Sequence, residues 1–453
     1  MQQVHGSFRD PYSGVVIHQN QVFRWMSSAY EPHYRQLMDS GLYDQLVKNN
    51  LIVSHQEVDI QLGEWPADFR IILPRQIPFI SYPYEWSFAQ YREAALVLLQ
   101  IQQLAMSFGM SLRDASAYNF QFLDGRMVLI DTASFEILPK NQPWVAYGQF
   151  CRHFLAPLCL MAGRDIRLGG MMQQYIDGIP LSLAYRLLPL GQKLKPGLLM
   201  HLYFHGKSSG KTHANHSSRK PSFSMASFLG LIQSLTGTIR TLKVKKQIST
   251  WENYYRSLIL SDEYLAGKKE IVAAWIQKIR PAYTWDLGAN DGSLSRIAAA
   301  YGLTVAFDSD QVAVEWGYEN MKNDTISQLL PLRLDLTNPS PGLGWASRER
   351  MAWLSRPLPE LTLALALIHH LAIGNNVPMT EIARLFGSLS PWLIAEFVPR
   401  SDPKVIEMLA FREDIFSSYH PEGFEESFSR YFEILEKKAV APTQRVLYLM
   451  KRK

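Results

Sequence analysis

The sequence predicts an α/β protein of two domains, in which a doubly wound parallel sheet follows an α+β domain. The chain has 453 residues, which exceeds the roughly 100–200 residues of a single domain. From about Trp251 onwards, helical segments alternate with short apolar strands, a pattern typical of parallel sheets. Earlier in the chain that alternation is absent. We therefore predict an N-terminal domain over residues 1–200, a basic flexible linker over 201–248 and the parallel-sheet domain over 249–453.

Composition excludes several classes of protein. The hydrophobic content of 47% suffices for two packed cores. No apolar run reaches the roughly 20 residues that cross a bilayer, and the N-terminus lacks the basic start and apolar core of a signal peptide. Cys151 and Cys159 share one apolar segment, so no disulfide framework is predicted. We expect a reduced, soluble, cytoplasmic protein without a membrane span.

The positive charge of the chain is local. The net charge is +5, but the segment between Asp177 and Glu252 holds eleven Lys and Arg residues and no acid, which leaves −6 for the remainder. Such a segment can contact phosphates or an acidic partner, or it can be a solvated connector. Both interpretations remain open, and a nucleic-acid partner is not expected.

The N-terminal elements can be assigned in order. Two apolar runs over 14–26 predict a β-hairpin, and the spacing of leucines predicts a helix over 32–47. Further helices are predicted over 87–108 and 144–161. The stretch 205–222 is polar, basic and low in apolar content, and it is predicted to be a loop. It resembles a P-loop, but three residues and not four separate its glycines, so a P-loop is not predicted.

The C-terminal domain has a glycine-rich turn after its first strand. The predicted strands are Tyr283–Leu287, Leu303–Phe307, Leu332–Leu336, Leu361–Ile368 and Trp392–Phe397. The first ends in Asp286-Leu-Gly-Ala-Asn-Asp-Gly292, and a helix is predicted from about Ser293. Glycines allow a sharp turn and a close approach to a ligand. Ligands of doubly wound sheets bind beyond the carboxyl ends of the strands, so we expect a site here.

Three successive strands end in a carboxylate. Asp308 ends the second strand and could accept hydrogen bonds from a ribose diol, and Asp335 ends the third and could accept from an adenine amino group. Asp286, Asp308 or Asp335 taken singly could be an ordinary cap or turn residue. Their occurrence at three neighbouring strand ends favours a shared nucleoside pocket.

This order of motifs resembles the class I S-adenosylmethionine-dependent methyltransferases, whose fold is Rossmann-like. The competing dehydrogenase fingerprint is Gly-x-Gly-x-x-Gly, and Asn290 stands at its second glycine. The resemblance implies S-adenosylmethionine as the cofactor, no metal, and a methionine-end site shaped by the turn. The implied cofactor residues are Asp286, Leu287, Gly288, Ala289, Asn290 and Gly292 in the turn, Asp308 at the ribose, and Asp335 with Leu336 at the adenine.

His369 and His370 end the fourth strand and are the candidate catalytic residues. A histidine at this position could act as a general base on a hydroxyl or amine, because its pKa lies near neutrality. Alternatively, one histidine packs against the sheet and the other caps a turn. Methyl transfer depends mainly on alignment, so a strong base is not required.

A second motif lies in the N-terminal domain. Arg113-Asp114 is followed by Asn119, a predicted hairpin and Asp131, a spacing that resembles the protein kinase and aminoglycoside phosphotransferase superfamily. The resemblance implies that Asp114 accepts a hydroxyl proton and that Asn119 and Asp131 hold magnesium. Leu112 stands in place of the usual histidine, and no glycine-rich loop precedes the motif. The alternative is a turn stabilised by Asp and Asn side chains.

Most of the chain resembles the nodulation-protein-related (NoeA-like) bacterial methyltransferases. The resemblance rests on Phe8-Arg-Asp-Pro, Arg113-Asp-Ala-Ser-Ala-Tyr-Asn, Ile130-Asp-Thr-Ala-Ser-Phe-Glu and Trp144-Val-Ala-Tyr. The first hypothesis is a methyltransferase whose N-terminal domain positions or selects an unidentified acceptor, with a small-molecule O- or N-nucleophile favoured. The second is a bifunctional protein whose N-terminal domain binds Mg-ATP or transfers phosphate. The third is a non-catalytic protein that retains the pocket as a relic. The oligomeric state is not predicted.

Overall fold

The computed structural model describes residues 2–60, 70–209, 223–244, 261–410 and 412–453. The chain forms two compact units. Unit 1 comprises Met1–Lys246 together with Pro341–Trp353, and unit 2 comprises Gln247–Ser340 together with Leu354–Lys453. The polypeptide therefore leaves unit 2 after Ser340, contributes a short excursion to unit 1 and returns at Leu354.

Unit 1 begins with a five-stranded antiparallel sheet in the order β1-β2-β3-β5-β4. The predicted hairpin is confirmed as β2–β3, because Gln19 and Asn20 adopt positive φ values of 49° and 61°, as a tight two-residue hairpin turn requires. The strands of this sheet are β1 Gln2–Gln3, β2 Ser13–His18, β3 Gln21–Met26, β4 His55–Glu57 and β5 Arg70–Pro74.

Two small antiparallel sheets and a set of helices complete unit 1. The sheets pair β6 with β9 and β7 with β8, and their strands are β6 Met110–Leu112, β7 Phe120–Leu123, β8 Arg126–Leu129 and β9 Phe135–Ile137. The α-helices are Glu31–Asp39, Leu42–Lys48, Phe88–Ser107, Tyr147–Phe150, Ala156–Gly163, Leu181–Leu187, Leu190–Lys193, Pro196–Leu198, His205–Ser209 and Met225–Thr241.

Local sequence explains where the first helices of unit 1 begin and end. The helix predicted over 87–108 is confirmed as Phe88–Ser107, and it starts with a capping box. In this box Gln90 N donates to Ser87 Oγ, while the Gln90 side chain accepts from Ser87 N. The single helix predicted over 32–47 is wrong, because Gly41 with φ +81° interrupts it and leaves two shorter helices.

The helix predicted over 144–161 contains a π turn at Cys151–Leu155. Pro157 has no N–H and cannot donate to the carbonyl of His153, which lies four residues earlier. That carbonyl instead accepts the hydroxyl of Tyr91 at 2.6 Å. The proline therefore accounts for the local change in helical winding.

The predicted flexible linker over 201–248 is wrong in its described part. Met225–Thr241 is a helix capped by Ser224, and it buries Phe228 and Leu235 within unit 1. Residues 205–209, predicted to be loop, are also helical. Apolar residues at helical spacing pack this part of the basic segment against the unit. Residues 210–222 and 245–248 of the predicted linker lie outside the described residues.

Unit 2 confirms the predicted doubly wound, Rossmann-like sheet. Its seven strands have the order β12-β11-β10-β13-β14-β16-β15, in which the first five are parallel and the C-terminal hairpin is antiparallel. The strands are β10 Tyr283–Leu287, β11 Leu303–Asp308, β12 Leu329–Arg333, β13 Leu361–Ala364, β14 Trp392–Phe397, β15 Phe432–Ala439 and β16 Val446–Arg452. The helices are Asp262–Ile279, Ser295–Ala299, Gln311–Asn323, Met379–Leu389, Pro403–Leu409 and Pro421–Ser429.

The sequence located two of these strands to the residue and misplaced others. β10 and β14 have the predicted bounds, whereas β12 ends at Arg333 and not at Leu336, and β13 ends at Ala364 and not at Ile368. The chain leaves the sheet early at both places. Asp335 therefore lies in a loop beyond β12, and the two histidines lie where a short π-helical segment, His370–Gly374, begins after β13. The antiparallel hairpin β15–β16 was not predicted. Across the described ranges, every helix is too short or too polar to cross a bilayer.

Candidate functional site

The carboxyl ends of β10, β11 and β12 border a cavity of about 420 Å³. Small-molecule sites typically occupy about 300–1,000 Å³. Asp286, Asp308 and Asp335 all line this cavity. Parallel strands end at one edge of the sheet, so three acids far apart in sequence meet around one hollow.

The glycine-rich turn forms one wall of the cavity. The N–H groups of Gly288 and Ala289 both donate to the carbonyl of Phe307 at 2.9 Å, which folds the turn back on β11. Gly288 has φ +75°, and a Cβ there would lie 3.2 Å from Leu367 Cδ1. A side chain at this position would be strained and would crowd the turn. Glycine is therefore required for the backbone to follow this path.

Asp308 is buried between the turn and the start of the next helix. Its Oδ2 accepts the N–H of Asn290 at 2.7 Å and its Oδ1 accepts the N–H of Asp310 at 2.8 Å. Burial raises the pKa of Asp308 to about 6. A carboxylate offers roughly four acceptor positions, so Asp308 retains the capacity to accept from ligand hydroxyls.

Asp286 is fully buried at the end of β10. Its Oδ2 accepts the hydroxyl of Ser295 at 2.6 Å, and burial raises its pKa to about 6. A positively charged group bound in the cavity would favour the ionised carboxylate. A cationic ligand therefore fits this end of the site.

The remaining predicted cofactor residues divide into two groups. Asp335 and Leu336 line the cavity, and Asp335 Oδ1 accepts the amide and hydroxyl of Thr337 at 2.9 and 2.7 Å. Ala289 and Asn290 also line it. Leu287 and Gly292 do not: Leu287 is buried in the sheet, and Gly292 supplies a positive φ of 75° to the turn.

Sequence reasoning missed a buried polar network that forms another wall. Tyr264 and Lys268 on helix Asp262–Ile279 line the cavity together with Arg445. The hydroxyl of Tyr264 donates to Glu396, and Lys268 Nζ lies 2.6 Å from Glu396 Oε2. Arg445 Nε contacts Asp402 Oδ2 at 2.7 Å. The four-residue spacing of Tyr264 and Lys268, which puts both on one helix face, was the available signal.

The two adjacent histidines occupy different environments. His370 lines the cavity, whereas His369 is fully buried and does not. Their ring centroids are 4.1 Å apart. Burial lowers the pKa of His370 to about 4, so this imidazole is neutral at neutral pH. Neither ring nitrogen of His369 has a hydrogen-bond partner in the described part of the chain.

The candidate phosphate-transfer residues of unit 1 also come together. Asn119 Nδ2 donates to Asp114 Oδ2 at 3.1 Å and approaches Ser134 Oγ at 3.3 Å. Asp131 is engaged by Ser134 Oγ at 2.8 Å, by Ala133 N, and by Arg24 NH1 at 2.5 Å.

The carboxylates of Asp114 and Asp131, which the kinase-like interpretation assigns to catalysis and to magnesium, therefore accept hydrogen bonds from protein groups. The second oxygen of Asp114 likewise accepts from Ser116 N and Gln149 Nε2. Within the described ranges, no cluster of three or more His, Cys, Asp or Glu residues could hold a metal. The contacts stabilise a loop, and the kinase-like role stays a prediction without support.

Comparison with known proteins gives one relative of nearly full length. The nodulation protein NoeA of Rhizobium meliloti (strain 1021) is 34% identical over 462 aligned residues, which cover 99% of this chain and 96% of the relative. No protein-family model matches the chain.

Several solved structures match parts of the chain at low identity. Magnesium protoporphyrin IX methyltransferase from Synechocystis PCC 6803, solved with bound SAH, is 16% identical, covers 46% of this chain and 90% of its own, and has a TM-score of 0.31. N-methyltransferase NodS from Bradyrhizobium japonicum WM9 is 8% identical, covers 42% and 98% respectively, and also has a TM-score of 0.31.

Proposed function

The chain belongs to the family of nodulation protein NoeA, and from this premise we propose that it transfers a methyl group from S-adenosylmethionine to an unidentified acceptor. The alignment with NoeA covers 99% of this chain and therefore includes both units. The observation that carries the proposal is the single cavity bordered by Asp286, Asp308 and Asp335.

The donor set of the cavity fits the proposed cofactor. Asp308 would accept the ribose hydroxyls, and Asp335 with Leu336 would contact the adenine. Asp286 and the turn at Gly288 would border the methionine end, where the buried carboxylate suits a cationic group. S-adenosylmethionine supplies an electrophilic methyl group on a sulfonium sulfur.

The acceptor-side proposal is a small-molecule oxygen or nitrogen nucleophile. His370 faces the cavity with a neutral imidazole, which can accept a hydrogen bond from a hydroxyl or amine and orient it. Alignment of the nucleophile, the methyl carbon and the sulfur supplies much of the rate enhancement in such a reaction. We propose that unit 1 selects the acceptor, because the alignment with NoeA includes unit 1 as well as the unit that holds the parallel sheet.

Calorimetric titration of the full chain with S-adenosylmethionine tests the cofactor assignment. Asp308→Ala should weaken binding by about 1.5–3 kcal/mol, because charge-assisted hydrogen bonds to the ribose are lost. Asp324→Ala is the matched control, because that carboxylate pairs with Arg296 outside the cavity. Unchanged affinity in a folded Asp308→Ala protein would refute the assigned role.

A further inference from the structure

One surface of unit 1 combines exposed apolar side chains with cations. Of the eighteen large apolar residues that are exposed in the described part of the chain, six lie between residues 187 and 204. Leu190 is 81% exposed, Leu194 is 79% exposed and Phe204 is 56% exposed. We call the surface formed by residues 185–207 the 185–207 patch. Exposed leucines in such a cluster mark an interaction surface rather than scattered surface residues.

Side-chain contacts join the two halves of the patch. Lys193 Nζ lies 5.5 Å from the ring centroid of Tyr185, and the Tyr185 ring lies 5.0 Å from that of Tyr203. Tyr203 contacts Phe204 at 5.2 Å, and Lys207 Nζ lies 5.9 Å from the Tyr203 ring. The short helix that carries Leu190 and the π-helical segment Leu199–Phe204 therefore belong to one continuous surface.

The charge of the patch has a single sign. Arg186, Lys193, Lys195 and Lys207 fall within it, and the sequence has no acid between Asp177 and Glu252. Lys193 also donates to the carbonyl of Arg186 at 3.0 Å, a neutral acceptor that does not cancel the charge of the ammonium group. The preferred partner of this surface is therefore both apolar and anionic.

We propose that the 185–207 patch docks on an anionic lipid surface. The leucines and Phe204 would enter the boundary between headgroups and acyl chains, the tyrosines would lie at headgroup level, and the cations would attract anionic headgroups. No helix in the described part of the chain, including those of the patch, is long and apolar enough to cross a bilayer, so the segment would lie on the membrane.

Charge argues against two other occupants. A second copy of this chain would place the same cations face to face, which is repulsive. An acidic protein would satisfy the cations, but it would give the highly exposed Leu190 and Leu194 no apolar medium to enter. A lipid interface offers both properties in one layer.

Vesicle sedimentation of the full-length chain tests the proposal. We expect binding to phosphatidylcholine vesicles that contain about 30 mol% phosphatidylglycerol, weak binding to pure phosphatidylcholine, and weakening as salt screens the charges. Leu190→Ser/Leu194→Ser should lower the partition coefficient at least about tenfold. Lys193→Gln/Lys207→Gln should also weaken binding and reduce its salt dependence.

Matched variants elsewhere on unit 1 serve as controls. Val145→Ser/Met225→Ser removes two exposed apolar side chains, and Lys48→Gln/Lys140→Gln removes two exposed charges, all outside the patch. These variants should bind as the natural chain does, and thermal unfolding checks that every variant is folded.

Three results would overturn the proposal. The first is no binding to anionic vesicles, and the second is binding that the patch variants leave unchanged. The third is evidence that the patch binds a different partner. In that case the chain would not bind vesicles, and the leucine variant would abolish either self-association in analytical ultracentrifugation or retention on immobilised polyglutamate.

Discussion

At the scale of single residues, burial decides which of two identical side chains can take part in chemistry. His369 and His370 are neighbours in sequence, but only His370 lines the cavity. A buried imidazole with two unpaired nitrogens gives up its hydration without compensation. Burial accordingly lowers the pKa of His369 well below its ordinary value. Of the two histidines, only His370 is therefore placed to contact a molecule bound in the cavity.

His369→Leu should leave S-adenosylmethionine affinity unchanged and raise the free energy of unfolding by about 1 kcal/mol, because an unpaired polar group is replaced by an apolar one. The pH dependence follows from the lowered pKa. As pH falls below about 6.5, the unfolded chain binds the proton first, so stability decreases towards acid pH. The variant should lose stability less steeply, as urea unfolding at several pH values would measure. Loss of cofactor binding in the variant would contradict this assignment.

At the scale of elements, a buried ionic network joins helix Asp262–Ile279 to the sheet. Lys268 and Glu396 pair at 2.6 Å with side chains 7% and 0% exposed. Arg445, which precedes β16, pairs with Asp402 at the start of helix Pro403–Leu409. These contacts join two helices to β14 and to the start of β16 at one wall of the cavity. The network therefore positions the site as well as stabilising the unit.

Glu396→Gln should lower the free energy of unfolding by about 3–5 kcal/mol, because Lys268 is left charged and buried without its counterion. The double variant Lys268→Met/Glu396→Leu should recover most of this loss. The same helix offers a control in the exposed pair of Lys278 and Glu436, at 2.7 Å, whose removal should cost much less than that of the buried pair because water screens the two charges. Equal losses for the two pairs in urea unfolding would show that burial is not decisive.

At the scale of the whole molecule, the chain does not divide at one point. Residues 341–353 follow the third parallel strand in sequence but belong to unit 1. There, Glu349 accepts from Arg9 NH2 at 2.8 Å, the Arg350 guanidinium lies 4.1 Å from the Tyr118 ring centroid, and Met351 N donates to Tyr82 OH at 2.7 Å. Residues 341–353 therefore contact residues of unit 1 that lie far from them in sequence.

A double-mutant cycle on Arg9→Ala and Glu349→Ala in the full chain should give a coupling energy of about 0.5–1.5 kcal/mol, because Glu349 is buried while Arg9 is half exposed. Chemical unfolding monitored by tryptophan fluorescence supplies the four stabilities. Arg9→Ala combined with Glu407→Ala is the control and should be additive, since Glu407 pairs with Lys404 in unit 2. A coupling of zero for Arg9 and Glu349 would mean that the ion pair does not hold the excursion in solution.

Local sequence determined the features that depend on near neighbours. The alternation of strands and helices indicated the parallel sheet, and Gly288 and the strand-end acids indicated a ligand site at its carboxyl edge. Backbone conformation follows from short-range sterics, and a helix between successive strands indicates a parallel crossover connection, so a single sequence carries both signals. The residues Asp286, Asp308 and Asp335 could be found in this way.

Only the tertiary structure decided which distant residues meet. It placed Lys268 against Glu396, sent residues 341–353 to unit 1, packed Met225–Thr241 there instead of leaving a flexible linker, and turned His370 rather than His369 to the cavity. Such contacts depend on packing between elements far apart in sequence. Local spacing can show which face of a helix is buried, as for Tyr264 and Lys268, but it does not show which distant residue that face contacts.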